Sequence, residues 1–458
     1  MNASLTDDVR PRLAALVTAL EEGGALRTPE WARVFAAVPR HVFVPRWYEQ
    51  ETTDKGITAW RLCDASDQGQ DRGRGQYQDQ GRGQGQDRGP DWDRDAWFSA
   101  AYSDRTLVTA LDPATAEQVG DRTWTGLPTS SSTAPHLVAA MLEELDVQDG
   151  HRVWDVGTGT GYLTALLCTR LGSRLVHSSD IAPALSEAAR TRLASLGHTP
   201  HLTVHDARDP WDAGEAGEAG DAAWDTRETR NARNDHTDHS AHLDHTEPPD
   251  HPGTAVFDRV IATCSVRSVP AAWLRRTRTG GAILTDLDLG IEGGLVRVTV
   301  DGRRAAGRFT RTTGRFMAAR GDAHTYPRKH RPPYAPETAT RPTPVTAADL
   351  RTHYPFRLLL AFHLPYAELV YHCADDGTLS LQLQHGGTWA RSPISGERPG
   401  TVTYGGADDL WATVEAVWRW WNDHGRPAQD QFGYACEPDG RHHVWHIPGG
   451  RRWELTGP

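Results

Sequence analysis

Apolar positions recur at helical spacing at the start of the chain. Val9, Leu13, Leu16, Val17 and Leu20 fall on one face of a segment from Asp7 to Glu22, and Gly23-Gly24 supplies a stop. A second helix is expected near Thr28, with Pro29 in its first turn, Trp31, Val34 and Phe35 on one face, and Pro39 ending it. PRHVFVP, Pro39 to Pro45, follows as a short stretch pinned by proline at both ends. From Ala65 to Asp93 the apolar pattern collapses into Gln, Gly, Asp and Arg with imperfect GRGQ and DRG repeats. Such a segment buries too little to offset the entropy of ordering, so a disordered insertion is expected. RNA contact through its arginines is opposed by the interspersed aspartates. Patterning resumes at Trp97 in AWFSAAYSDRTLVTAL. A hydroxyl run, TSSST at Thr129 to Thr133, then precedes Pro135 and the helix-patterned HLVAAMLEEL. The run sits where a Ser or Thr would cap that helix, but capping accounts for one hydroxyl, not five.

The strongest pattern lies in VWDVGTGTGYLTA, Val153 to Ala165. Val153 to Val156 is short and β-prone and Tyr162 to Leu171 has helical spacing, so Gly157, Gly159 and Gly161 occupy a strand-to-helix turn. Next come a strand ending at Asp180, a helix from about Pro183 to Leu196, and a strand ending at Asp206. This βαβαβ alternation predicts an α/β fold with a doubly wound, mainly parallel, Rossmann-like sheet. A second biased stretch, 211–253, is rich in Gly, Ala, Asp and His and is also expected to be disordered. The sheet restarts with AVFDRVIATCS, Ala255 to Ser265, then a helix around Pro270 to Thr277, a strand AILTDL, and a hairpin turning at Asp301-Gly302. The Pro-, Arg- and Thr-rich stretch 321–344 reads as a linker. FRLLLAFHL, ELVYHCADDGTLSLQL and LWATVEAVWRWWNDHG then suggest a separate C-terminal α+β accessory domain, 345–458. The expected organisation is a helical part at 1–64, the insertion 65–93, a core at 94–320 holding the second insertion, the linker and the accessory domain.

Composition narrows the chemistry. A chain of 458 residues has room for about two to three domains. Its net charge of -11 argues against nucleic-acid or anionic-membrane partners, which need clustered Lys and Arg. Five scattered cysteines without a C-x-x-C pair suit a reducing compartment, and no apolar run approaches the roughly 18 residues of a membrane span. A cytoplasmic protein is expected. The acid-x-G-x-G-x-G spacing differs from the dinucleotide fingerprint G-x-G-x-x-G and favours S-adenosylmethionine over NAD. The cofactor-binding candidates are Asp155, Gly157, Thr158, Gly159 and Gly161, with Asp180 placed to accept ribose hydroxyls and Asp206 to reach an adenine edge. Each aspartate alone reads equally well as a helix cap; together they mark successive strand ends, where such sheets bind ligands. His236, His239, His242 and His245, every third residue, have no Cys or carboxylate frame, so no metal site is expected. Trp418, Trp420 and Trp421 read as packing residues before a peptide grip. Ser132 and His136 lie close in sequence without an orienting acid, which leaves no hydrolase triad.

In combination these segments resemble the protein-L-isoaspartate O-methyltransferase family. PRHVFVP, AYSDR at Ala101 to Arg105, SSTAPHLVAAML at Ser131 to Leu142 and FDRVIATCSVRSVP at Phe257 to Pro270 resemble the family's ordered motifs over residues 7 to 315. The family's substrate-loop serine falls on Thr133 and its threonine on Ser131, while its Gly-Asp-Gly becomes His205-Asp206-Ala207. The TSSST run and the long tail resemble methyltransferases of peptide-maturation systems beside ATP-grasp ligases. That resemblance implies carboxyl methylation of an aspartate in a ribosomal peptide, with the ester closing to an aspartimide. It implies Ser131, Ser132 and Thr133 orienting the acceptor, Asp104 shaping the loop, and the tail recognising a leader or cross-linked core peptide. Two alternatives stand beside it: repair of isoaspartyl sites in damaged proteins, and a catalytically silent cofactor-binding protein that docks peptides.

Overall fold

The computed structural model describes residues 3–52, 58–64, 94–209, 257–321, 334–374, 376–394 and 399–455. The expected insertions 65–93 and 211–253, the latter with its histidine tract, lie outside the described residues.

A ten-stranded sheet organises the chain. Its strands are β1 (Val153–Val156), β2 (Val176–Asp180), β3 (His201–Val204), β4 (Phe257–Val266), β5 (Thr277–Asp288), β6 (Gly293–Asp301), β7 (Arg304–Phe309), β8 (Phe432–Cys436), β9 (His442–His446) and β10 (Arg452–Glu454). The spatial order is β10-β9-β8-β7-β6-β5-β4-β1-β2-β3. Pairing is parallel from β5 through β4, β1 and β2 to β3, and antiparallel from β5 outward to β10. Every residue of β1 and β2 is buried, as expected where helices cover both faces of parallel strands. The chain winds from β1 to β3 in one direction and from β4 to β5 in the other. The switch between β1 and β4 therefore opens a crevice at the strands' carboxyl ends. The expected Rossmann-like architecture is present, as is the hairpin at Asp301-Gly302.

The tail does not form the separate domain expected at 345–458. Its strand β8 pairs with β7 in register from Ala305↔Cys436 to Arg308↔Gly433, so β8, β9 and β10 complete the central sheet. Trp154 and Phe309 share one apolar core with Phe362, Trp411 and Trp453 of the tail. An unpaired β7 edge would expose a row of backbone donors and acceptors, and the tail covers it. Gly433 sits where a Cβ would meet the Trp445 ring at 2.2 Å, which fixes the residue type at this junction. The linker is also partly structured: Glu337–Thr343 is an outer strand of a five-stranded sheet whose neighbours are tail strands. Trp421 is buried and Trp418 packs on Phe356, in keeping with the packing role expected of the tryptophans.

A third sheet went unread in the sequence. Six antiparallel strands, Arg46–Thr52, Thr58–Asp64, Leu107–Leu111, Glu117–Gly120, Thr123–Thr125 and Pro128–Ser132, flank the crevice, and the last carries most of the hydroxyl run. That run is thus a strand and not a helix cap. The following helix, Pro135–Leu145, starts from Ala134 with no cap bond of its own. All five cysteines are free, and among the described residues no helix is long and apolar enough to cross a membrane.

Candidate functional site

The glycine turn forms because the chain must reverse at the carboxyl end of β1 over a very short span. Gly157, Gly159 and Gly161 hold φ values of 95°, 51° and 88°, where side chains are strained. At Gly157 space is also limiting, since a Cβ there would lie 2.9 Å from Thr263 Oγ1. The amides of Gly157 and Thr158 donate to the Ser179 carbonyl at 2.8 and 3.2 Å, tying the loop to the end of β2. Gly157 and Gly159 line a crevice of about 800 Å³, its open mouth included. Gly161 caps the next helix, Tyr162–Leu171, and Thr158 turns inward, its hydroxyl 2.6 Å from Ser178 Oγ. These two residues shape the loop from behind and are not on the crevice wall.

The three aspartates do different work. Asp180 lies on the wall, its Oδ2 accepting from the Gly159 amide at 2.8 Å and its Oδ1 from Ala182 N at 2.9 Å. Burial raises its carboxyl above the usual range, opposed by these amides. Asp206 is also on the wall, two residues past β3, and is forked by Arg208 at 2.9 Å (Nε–Oδ1) and 2.6 Å (Nη2–Oδ2). Burial works to raise it, but Arg208 outweighs that and holds Asp206 below its usual range. Asp155 is placed differently from the expectation of a ligand contact. It is fully buried beneath the loop, with Oδ2 accepting from Thr164 Oγ1 at 2.7 Å and Ser178 Oγ at 3.0 Å and Oδ1 without a partner among the described residues. Alternation along β1 aims it into the sheet-helix layer and away from the crevice.

Burial pushes the Asp155 carboxyl up to about 7, against the two hydroxyls, and does the same to Asp286 at the end of β5. An acid whose folded pKa exceeds its unfolded value is neutral in the fold at low pH and costs stability as pH rises between the two values. Stability should therefore fall between pH about 4 and about 7, by a few kcal/mol for each group. Asp155→Asn should flatten that slope in melting curves; an unchanged slope would show that Asp155 is not held neutral.

On the opposite wall stand Thr129, Ser130, Ser131 and Thr133. Ser132 is not among them. Its Oγ accepts from Arg40 Nε at 3.3 Å and its carbonyl from Arg40 Nη2 at 3.1 Å, on the strand's far face. Asp104 stands outside the crevice, where its Oδ1 accepts from the His136 amide at 2.8 Å and contacts His136 Nδ1 at 2.9 Å. It thereby caps the Pro135–Leu145 helix from a distant loop.

Sequence reasoning missed several residues. Arg40, inside PRHVFVP, is completely buried and donates to the carbonyls of Ala101, Ser103, Arg105, Ser132 and Thr133 as well as to Ser132 Oγ. Two segments, Ala101–Arg105 and Ser132–Thr133, meet on that one guanidinium. Met317 to Arg320 form another wall: Ser265 N donates to Met317 O at 2.9 Å and Ala319 N to Ser265 O at 2.8 Å, docking the segment on the end of β4. Cys264 also lines the crevice, and burial pushes its thiol up to about 12, so it stays protonated. The available signals were the lone arginine between prolines and the chain's return after the hairpin; neither specifies a contact.

Residues 99–220 match the family model for protein-L-isoaspartate(D-aspartate) O-methyltransferase. The chain is similar to the protein-L-isoaspartate O-methyltransferase of Methylorubrum populi, 32% identical over 177 residues, which are 38% of this chain and 61% of the relative. It is also similar to protein-L-isoaspartate O-methyltransferase 1 of Archaeoglobus fulgidus, 45% identical over 67 residues, 14% of this chain and 31% of the relative. The chain thus spans less than two thirds of the length of these relatives. A solved protein-L-isoaspartate O-methyltransferase aligns over 94% of this chain and 98% of its own, with 14% identity and a TM-score of 0.44.

Proposed function

We propose that the protein is an S-adenosylmethionine-dependent O-methyltransferase acting on an aspartyl or isoaspartyl carboxylate in a peptide or protein. The observation that carries this reading is one crevice bounded on one side by Gly157, Gly159 and Asp180 and on the other by Thr129, Ser131 and Thr133. The residues fit the cofactor: the glycine turn leaves no room for a Cβ at Gly157, and a buried carboxylate at the β2 end suits vicinal hydroxyls. When bound, S-adenosylmethionine supplies a methyl group on a sulfonium, which a carboxylate oxygen displaces with loss of the neutral thioether.

An ionised carboxylate needs no general base, so the chain's contribution is binding and orientation. Asp180 would hold the ribose hydroxyls and the Gly159 amide together. Ser131 and Thr133 would donate to the acceptor carboxylate and aim one oxygen across the crevice. Asp206, already forked by Arg208, would offer its remaining lone pairs to an amino edge. Ser132 acts through Arg40, positioning the hydroxyl strand without touching the acceptor.

The relatives' names favour an isoaspartyl acceptor in a protein, the repair reading. The narrower reading, an aspartate in a ribosomally made peptide from an ATP-grasp maturation pathway, rests on the resemblance of the hydroxyl run and the long tail to methyltransferases of such systems. Mass spectrometry of an isoaspartyl peptide and of a cross-linked precursor peptide, each incubated with enzyme and S-adenosylmethionine, separates them. Turnover of the isoaspartyl peptide alone selects repair, and turnover of the precursor selects maturation. Cofactor binding with no methyl transfer to either would leave a docking protein. In whichever assay is active, Ser131→Ala should lower kcat/KM about tenfold, the cost of one hydrogen bond to a charged group. Ser132→Ala should chiefly cost about 1 kcal/mol of stability. Equal effects of the two on kcat/KM would refute the assignment of opposite faces.

A further inference from the structure

The six-stranded sheet has two unlike faces. Trp47, Cys63 and Leu107 point inward and are buried against Ala100 of the Arg94–Ala101 helix. The other face is set by register. Ser131 lies opposite Val108, Val108 opposite Tyr48, and Tyr48 opposite Leu62, while Trp60 lies opposite Trp124. Directly paired residues share a face, so Ser131 on the crevice wall continues through Val108, Tyr48 and Leu62 towards Trp60 and Trp124. All of these side chains are only partly buried. The Tyr48 and Trp124 rings meet edge-on with centroids 6.1 Å apart, and Trp60 Nε1 is fixed by the Gly126 carbonyl at 3.0 Å. The result is a preformed aromatic shelf leading away from the crevice.

We infer that this shelf docks the substrate chain flanking the acceptor residue, through an apolar or aromatic side chain a few residues away. The occupant follows from continuity: a peptide whose carboxylate reaches Ser131 must leave the crevice, and the same sheet face extends beneath that exit. Rigid, partly exposed aromatic rings supply contact area at low entropic cost. Neighbouring strands are about 4.8 Å apart, so Tyr48 stands about 10 Å and Trp124 about 19 Å from the Ser131 strand. At roughly 3.3 Å per extended residue, the docked side chain sits about three to six residues from the acceptor. This inference rests on the methyltransferase reading for its substrate.

The test is a set of acceptor peptides, each with one tryptophan placed progressively farther from the acceptor and otherwise apolar-free. Methyl-transfer kcat/KM should peak at a separation of about three to six residues, about tenfold above a peptide without tryptophan. Trp124→Ala and, separately, Tyr48→Thr should bring that ratio close to one, mainly through KM. A flat dependence on tryptophan position, or a ratio unchanged in both variants, would overturn the shelf. Fluorescence anisotropy with labelled peptides carrying Asn in place of the acceptor reads the same preference without chemistry. Absence of methylation with retained tryptophan-dependent binding would count against the reaction and not the shelf. A shift in oligomeric state on Trp124→Ala, with peptide binding unchanged, would make this face a self-association surface and overturn the inference.

Discussion

Arg40→Met is expected to lower unfolding stability by on the order of 5 kcal/mol, a large part of the roughly 5–15 kcal/mol typical of a folded protein. The cause is the asymmetry of buried hydrogen bonding. The native guanidinium satisfies five carbonyls and the Ser132 hydroxyl. Methionine fills much of the same volume but leaves those acceptors buried, and each orphaned group costs about 1–3 kcal/mol, less than additively once the loops relax. Burial drags Arg40 down to about 10, against Tyr162 and Asp104, so it remains charged at neutral pH. Arg40→Lys should recover only part of the loss, because a compact ammonium with three donors cannot span loops that a planar fork reaches. Urea unfolding checks both variants. A midpoint for Arg40→Met within error of wild type would mean that the cage is not what joins the hydroxyl strand to the Ala101–Arg105 loop.

This cage also marks where the sequence stops being informative. PRHVFVP announced itself as a motif, but nothing local says that its arginine will serve carbonyls some sixty and ninety residues away. The β1-to-β3 alternation was legible because short β-prone stretches with an acidic residue at or near their ends alternate with helical spacing, and because φ > 0 at three alternate positions demands glycine. The direction of Asp155 was not legible: the residue type suits a ligand, while the pleat of β1 sends it towards Thr164. The hydroxyl run misled for a related reason, since polar residues before a helix suggest a cap, and period-two alternation shows only once a strand partner is known. The pairing of β7 with β8 joins residues more than a hundred positions apart. Local pattern therefore gave elements of the tail, such as the Leu410–Asp423 helix, without the register that merges its last strands into the central sheet.

Asp180→Ala should weaken S-adenosylmethionine binding by about a hundredfold or more. A carboxylate accepting from two ribose hydroxyls makes charge-assisted bonds of about 1.5–3 kcal/mol each, and every 1.4 kcal/mol is about tenfold in affinity. The same side chain holds the Gly159 amide, so its loss also loosens the turn that faces the ligand. Stability should change in a different proportion. Because burial raises the Asp180 carboxyl, its ionised form opposes folding at neutral pH, and Asp180→Asn relieves that charge while keeping one acceptor for an amide. Asp180→Asn is therefore expected to melt within a few degrees of wild type while losing most of its cofactor affinity, a separation that a merely structural aspartate would not show. Asp206→Ala offers the contrast, since its carboxylate is already engaged by Arg208 and contributes fewer free lone pairs. Its loss should cost only about tenfold. Calorimetric titration of the three variants with S-adenosylhomocysteine ranks them directly. Affinity for Asp180→Ala within a few-fold of wild type, or a larger effect at Asp206, would remove the end of β2 as the ribose-holding position.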